Sequence, residues 1–180
     1  MFTLARFSEA FLVLRAQQGG MFIALVPLVM VAMNLIYTLS AYPFGKLSDT
    51  MSHTRLLVWG LIVLIAADIV LAINNHWGVV LLGVVLLGVV LWGLHMGMTQ
   101  GLLAAMIAGA SPADLRGTAY GFFNLACGLA LLIASALAGI VWEQFGARFT
   151  FYVGAICAAC VIALVAFKEG QPSNVRIHSQ

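Results

Sequence analysis

Residues 77–110 read WGVVLLGVVLLGVVLWGLHMGMTQGLLAAMIAGA, without one Lys, Arg, Asp or Glu. The hydrocarbon core of a bilayer is about 30 Å thick, and about 20 helical residues cross it. At a rise of ~1.5 Å per residue, this stretch would form a helix of about 51 Å. We therefore expect one long membrane-spanning helix that protrudes on one side. Its Gly93, Gly97 and Gly101 are spaced to let a second helix backbone approach closely.

The composition of the whole chain is that of a membrane protein. Of its 180 residues, 63% are apolar and 8% are charged, and the mean hydropathy is +1.09. A soluble domain carries about 25% charged residues, so this chain cannot cover a water-exposed surface with charge. Its net charge of +2 is small and its basic residues are scattered, which argues against a nucleic-acid partner. Membrane lipid is the expected surrounding.

Further apolar stretches predict an all-α membrane protein with about six transmembrane helices. Together the helices form one half-domain over 1–167, and residues 169–180 form a polar cytoplasmic tail. The predicted helices cover residues 1–16, 21–43, 55–74, 77–109, 114–142 and 148–168. The first is too short to cross the membrane comfortably, so we interpret it as the end of a truncated helix.

The distribution of Lys and Arg among the short loops predicts the orientation of the chain. Alternate loops assign one group of basic residues to one side: Lys46, Arg55, Arg116, Lys168 and Arg176. Only Arg15 and Arg148 fall on the other side. The larger group is expected in the cytoplasm together with the C-terminus, in the cell inner (plasma) membrane.

A short motif joins the second and third predicted helices. It reads Gly45-Lys46-Leu47-Ser48-Asp49, and Arg55 is the next Lys or Arg. The motif resembles the G-x-L-x-D signature of the major facilitator superfamily, which recurs between the second and third helices of each six-helix half. The resemblance implies a gating loop formed by Gly45, Leu47, Asp49 and Arg55. Gly45 would allow two helix ends to approach, and Asp49 would accept hydrogen bonds or pair with a cation.

A second resemblance extends over 93–101, 111–117 and 118–146, which are similar in order and spacing to the fourth and fifth helices of a carboxy-terminal half in bacterial members. It implies half of a twelve-helix fold, with the first and fourth helices beside a central cavity and the third and sixth facing lipid. Independently, Ser111-Pro112-Ala113-Asp114 predicts a capping box that starts the fifth helix. Ser111, Asp114 and Arg116 would form a cytoplasmic cap.

Polar side chains within the apolar stretches are the candidate cavity or coupling residues, because an ionisable group at the bilayer centre costs at least ~2.5 kcal/mol. These candidates are Arg6, Glu9, Asn34, Tyr37, His95, Gln100 and Asn124. Arg6 and Glu9 either serve the cavity or neutralise each other. His95 either relays a proton or forms a packing hydrogen bond. Asp68 is expected to reach interfacial water in a structural role.

The resemblance implies secondary active transport of an unknown small solute by alternating access, with protons as the expected coupling ion. The alternative is a truncated, non-transporting remnant or a helical membrane interaction partner, because one half cannot enclose a cavity between two halves. The missing amino-terminal half or a second copy is the expected protein partner. The sequence has no nucleotide-binding loop or catalytic pattern, and Cys157-x-x-Cys160, which has the spacing of a thiol or metal pair, lies in an apolar stretch with no further ligand nearby. Neither enzyme activity, cofactor nor metal is therefore expected.

Overall fold

The computed structural model describes residues 5–73 and 78–169, with side chains described over 5–73 and 82–167. The helices are α1 (Ala10–Gln18), α2 (Val26–Ser48), α3 (His53–Ala72), α4 (Gly78–Ala110), α5 (Arg116–Phe145) and α6 (Ala147–Glu169), and a 3₁₀ turn (Ile23–Leu25) precedes α2. All of these helices except α1 are long and apolar enough to span a membrane. No strand occurs in the described ranges, which confirms the all-α membrane fold. The predicted tail from residue 170 onward lies outside the described residues.

The first helix is shorter than the predicted range 1–16, of which 1–4 lie outside the described residues. α1 begins at Ala10 because the chain turns at Ser8 and Glu9. The Ser8 amide donates to the Ser135 hydroxyl of α5 at 3.1 Å, and the Ser8 hydroxyl accepts from the Ala10 amide at 3.3 Å. Arg6 and Glu9 therefore lie on a non-helical segment before α1.

The second helix runs further than the predicted range 21–43. α2 contains Pro43 and ends at Ser48, because its backbone hydrogen bonds continue beyond the apolar stretch that defined the prediction. The Thr50 and Met51 amides close the helix by donating to the Leu47 carbonyl at 3.1 and 2.9 Å. Gly45 and Leu47 thus belong to the last turns of a helix, and the loop that was predicted to contain them is shorter.

α4 forms the centre of the helix bundle and is continuous over 33 residues. It packs against α2 and α3, while α6 packs against α3 and α5. Gly93 and Gly97 face α2, where the Met33 carbonyl and the Ser40 side chain lie against them. The third predicted packing glycine, Gly101, has open space beside it. Close approach of α2 and α4 therefore depends on Gly93 and Gly97.

The helices differ strongly in how much of their surface the rest of the chain covers. In the most apolar 18 residues of each helix, 56% of α4 and 44% of α3 are buried, compared with 22% of α2 and 11% of α5. The resemblance implied that the third and sixth helices face lipid. In this chain α3 and α6 pack against each other, which does not test whether their outer faces meet lipid, so that expectation stays a prediction. Within the described side chains, α2 and α5 have the lowest buried shares.

Asp68 of α3 is fully buried, with an exposed fraction of 0%. The expectation that it reaches interfacial water is wrong, because its side chain is turned towards α6 and the segment before α1. A methyl group added at Gly154 would lie 2.7 Å from Asp68 Oδ2 and 2.7 Å from Phe7 Cε1. Neither carboxyl oxygen of Asp68 has a hydrogen-bond partner among the described residues. Gly154 provides the space that Asp68 and Phe7 occupy.

Candidate functional site

A cavity of about 460 Å³ lies between α4, α5 and the segment before α1. Its polar lining consists of Arg6, Gln100, Tyr120, Asn124 and Cys127. The rest of the wall is formed mainly by apolar side chains, including Leu103, Ile107, Phe123 and Leu131. Pockets for small molecules usually measure about 300–1,000 Å³, and the volume of this half-open cavity falls within that range. Three of the residues proposed from the sequence, Arg6, Gln100 and Asn124, are brought together here.

Among the described residues that line this cavity, Arg6 is the only Lys, Arg, Asp or Glu. Its Nη2 atom lies 3.4 Å from Glu9 Oε1, so the two side chains are close enough to neutralise each other in part. When the Gln100 amide is oriented with its oxygen towards Arg6, that oxygen accepts from Nη1 and Nη2 at 3.3 and 3.2 Å. Glu9 lines a neighbouring cavity of about 430 Å³, which Arg6 also lines. The guanidinium group thus stands between the two cavities.

Tyr120 and Asn124 are one turn apart on α5. The Tyr120 hydroxyl donates to the Ala104 carbonyl at 2.8 Å, which joins α5 to α4. Asn124 lies about 12 Å along α5 from its start at Arg116, and Gln100 lies about 15 Å along α4 from its end at Ala110. The two amide side chains are therefore at similar depths from the end of the bundle where α4 connects to α5.

His95, a candidate cavity or coupling residue with packing as the alternative, lines neither cavity. It is fully buried, and its Nδ1 atom lies 2.7 Å from the Gly60 carbonyl oxygen of α3. Residues five positions apart on an α-helix point about 140° away from each other. Because Gln100 points towards the cavity, His95 on the same helix points towards α3. Of the two roles considered from the sequence, the packing hydrogen bond is the one that this geometry provides.

Asn34 and Tyr37 of α2 also lie outside the lining of both cavities. The Asn34 amide donates to the Met30 carbonyl of its own helix at 2.8 Å. Tyr37 is half-buried and packs against the hydrophobic core. Both residues were predicted from polarity alone, which does not indicate the direction in which a helical side chain points.

The residues of the predicted gating loop lie at the junction of α2 and α3. A side chain at Gly45 would have no neighbour within 4 Å, so the expected close approach of helix ends at this glycine is not seen. Asp49 is the C-cap residue that directly follows α2, and it is exposed. The Arg55 amide donates to the Ser52 hydroxyl at 3.4 Å, which caps α3. A gating role for Leu47, Asp49 and Arg55 stays a prediction.

The predicted capping box at Ser111 and Asp114 is wrong. The Leu115 amide donates to the Pro112 carbonyl at 3.1 Å, so residues 112–115 form a turn rather than the first turn of a helix. α5 begins at Arg116, and the residue before it makes no capping hydrogen bond through its side chain. Asp114 and Arg116 are exposed at the end of the bundle expected to face the cytoplasm.

Arg15 has a structural role that the sequence reasoning missed, because it was considered only as a loop charge. It is buried, with 4% of its surface exposed. Its Nε atom donates to the Leu71 carbonyl at 3.0 Å, and Nη2 donates to the Ile73 carbonyl at 2.6 Å. The guanidinium group thereby binds carbonyl groups at the C-terminal end of α3. The sequence did contain a signal for this role, because Arg15 lies between apolar residues and before the loop rather than in it.

The amino-acid sequence resembles sequences of known proteins. The sequence profile of the Major Facilitator Superfamily matches residues 4–180. The chain belongs to the Major Facilitator Superfamily. It is therefore a multi-pass membrane protein of a transporter family, and its helices provide the apolar spans that this requires.

Two curated relatives of this superfamily are similar to the chain. An uncharacterized MFS-type transporter, MJ1317, of Methanocaldococcus jannaschii is 30% identical over 181 residues, covering 93% of this chain and 42% of the relative. The inner membrane transport protein YajR of Escherichia coli is 28% identical over 142 residues, covering 78% of this chain and 30% of the relative. The chain thus spans less than half the length of either superfamily relative.

Proposed function

We propose that this chain takes part in secondary active transport of a small solute by alternating access, as the carboxy-terminal half of a proton-coupled transporter. The observation that supports this function is the cavity in which Arg6, Gln100 and Asn124 meet. Polar and ionisable groups at membrane depth are costly and mark pathways for substrates and ions. In two-repeat transporters, substrate sites lie near the middle of the membrane between the repeats.

The exposed apolar faces of α2 and α5 support a proposal for the protein partner. On α2, Leu35 and Leu39 are 56% and 65% exposed, and on α5, Leu129 and Leu132 are 55% and 67% exposed. We place the amino-terminal half of the transporter against these faces, because a cavity between halves needs both of them. A second copy of the chain would be the alternative occupant. The same exposed faces also favour, as the second candidate function, a truncated remnant or helical membrane interaction partner that does not itself transport.

Reconstitution in vesicles tests the transport proposal. The chain is inserted alone, and together with a candidate amino-terminal half from the same organism, into liposomes that contain the pH dye pyranine. We expect a solute from a panel of small organic acids, bases and sugars to drive proton movement when both halves are present. Gln100→Ala and Asn124→Ala should each slow that movement about tenfold, because each removes a polar cavity contact worth roughly 1–1.5 kcal/mol.

The matched control for this experiment is Gln144→Ala, since Gln144 is exposed near the end of α5 and lines neither cavity. If the rate of solute movement does not change when a pH gradient is imposed, proton coupling is contradicted. Equal rates for the chain alone and for the two halves together would contradict the role given to the partner. No solute-driven movement under any condition would favour the non-transporting alternative.

We also propose that the α2–α3 and α4–α5 connections and the C-terminus lie in the cytoplasm, with the chain in the inner membrane. In a variant whose Cys127, Cys157 and Cys160 are replaced by Ala, single cysteines are introduced as Thr50→Cys or Gln144→Cys. A membrane-impermeant maleimide should label the Gln144→Cys variant in intact cells. It should label the Thr50→Cys variant only after the membrane is opened. The reverse labelling pattern would overturn this orientation.

A further inference from the structure

The lining of the cavity between α4 and α5 carries charge of one sign, and the proposed function does not depend on that sign. Arg6 supplies a positive charge to its lining, and no Asp or Glu occurs among the lining residues in the part of the chain that the structure describes. The nearby carboxylate, Glu9, lines the neighbouring cavity and approaches Arg6 from there. A solute in the cavity would therefore meet the guanidinium group of Arg6 on the side facing away from Glu9, whose carboxylate contacts Arg6 from the neighbouring cavity.

The hydrogen-bond donors of Arg6 are only partly used by the protein. The 3.4 Å contact with Glu9 is longer than the roughly 2.7–2.9 Å of a strong charge-assisted hydrogen bond. The Gln100 oxygen accepts at 3.3 and 3.2 Å, which is also long. A guanidinium group has five N–H donors in a planar fork that fits a carboxylate or similar anion. Arg6 can therefore donate hydrogen bonds to an anionic group that is placed closer to it.

The remaining lining selects for a solute with an apolar body. Leu103, Ile107, Phe123 and Leu131 form much of the wall, and apolar walls with a few placed polar groups are typical of sites for small organic ligands. The Tyr120 hydroxyl is already committed as a donor to the Ala104 carbonyl. The Asn124 amide is left to contact a polar group further along the solute.

We infer that this cavity binds an amphipathic organic anion, with the anionic group on Arg6 and the apolar body between α4 and α5. This inference rests on the proposed function, because it names the class of solute for the same cavity. Glu9 acts as an internal competitor that holds Arg6 when the solute is absent. When the solute binds, a shorter contact between Arg6 and the anionic group of the solute replaces the long Arg6–Glu9 contact. Glu9 and the solute therefore compete for Arg6.

Equilibrium binding to the 180-residue chain in phosphatidylcholine nanodiscs tests this inference, with empty nanodiscs as the blank. The probes share one ring system and differ in charge: 2-naphthoate, its uncharged methyl ester and 2-naphthylmethylammonium. We expect 2-naphthoate to bind at least about tenfold more tightly than either other probe, as the loss of one charge-assisted contact implies. Equal binding of the three probes would overturn the inference.

Two substitutions with opposite expected effects make the test specific. Arg6→Gln should weaken 2-naphthoate binding about tenfold, while Glu9→Gln should strengthen it several-fold because the competitor is removed. Arg148→Gln is the matched control, because Arg148 is exposed and lines neither cavity. If the Arg6→Gln variant does not fold, the Glu9→Gln variant still decides, since unchanged or weaker binding there would contradict the proposed competition.

An anionic lipid offers the same chemistry as a free organic anion, and a change of nanodisc lipid separates the two sources. Phosphatidylglycerol is added to the nanodiscs for this comparison. If it weakens 2-naphthoate binding to the unsubstituted chain but not to the Arg6→Gln variant, then lipid is an occupant of the anion site. Unchanged binding would identify a free solute. Binding can be measured without transport, so the two proposals can fail separately. If 2-naphthoate binds selectively but no transport is seen in vesicles, only the proposed function is rejected. Transport without charge selectivity rejects only this inference.

Discussion

Gly93→Ala should destabilise the chain by about 1–3 kcal/mol, the usual cost of added volume at a tight contact. The new methyl group would lie 2.8 Å from the Met33 carbonyl oxygen and 2.9 Å from Ile36 Cβ of α2. A backbone oxygen cannot move away by changing rotamer, so α2 and α4 would have to separate. Separation loses the close contact that holds helices together in lipid, where no hydrophobic effect favours their association. Thermal unfolding in detergent, followed by circular dichroism, measures the change.

Gly101→Ala is the matched control because it lies two turns further along α4 and has nothing within 4 Å of an added methyl group. Alanine has a higher helix propensity than glycine by up to ~1 kcal/mol, so this variant should be equal to or more stable than the unsubstituted chain. Similar losses in the two variants would show that the α2–α4 contact does not depend on the absence of a side chain at Gly93.

Arg15→Ala should lower the free energy of unfolding by about 2–4 kcal/mol, since hydrogen bonds to charged groups are worth roughly 1.5–3 kcal/mol each and their loss is only partly additive. The buried guanidinium group binds the Leu71 and Ile73 carbonyls and also the Gln18 side chain at 3.0 Å. The last carbonyls of a helix have no partner within it, and a cation near them interacts favourably with the helix dipole. Chemical denaturation of the purified chain measures the loss.

Arg148→Ala provides the comparison for Arg15→Ala. Arg148 is exposed and contacts Tyr152 of its own helix, with Nε 3.2 Å from the hydroxyl oxygen. An exposed contact of this kind contributes about 1 kcal/mol or less. Arg15→Lys should fall between Arg15→Ala and the unsubstituted chain, because an ammonium group lacks the planar fork that reaches two carbonyls. Equal losses for Arg15→Ala and Arg148→Ala would refute the anchoring role of Arg15.

The candidate cavity was only partly predictable from its residues. Arg6, Gln100 and Asn124 were identified because polar groups are rare in these helices, and the structure brings them to one cavity. His95 was identified by the same criterion, but it bonds to the Gly60 carbonyl of α3. This criterion identifies residues that need a polar partner. It does not show whether that partner is a solute in a cavity or a carbonyl group of a neighbouring helix.

Local motifs were less reliable guides than the length of the apolar stretches. A capping box with Ser111 at the N-cap requires helical backbone from Pro112 onward, whereas residues 112–115 form a turn. The burial of Asp68 depends on the space that Gly154 leaves on α6. The burial of Asp68 depends on contacts between segments, which a short sequence window does not contain. The turn at 112–115 is a local structure that the Ser-Pro-Ala-Asp sequence also allows.

Apolarity and length alone were sufficient to predict the membrane fold and the existence of the five spanning helices. They are sufficient because transfer into lipid depends on each segment's own side chains, and its backbone bonds are made within the helix. The direction of each helix face could not be predicted in this way. In lipid, both the packed and the exposed faces of a helix are apolar, so no amphipathic stripe marks the interior. Packing of α4 against α2 and α3 turned His95 inward to α3 and left Gln100 in the cavity.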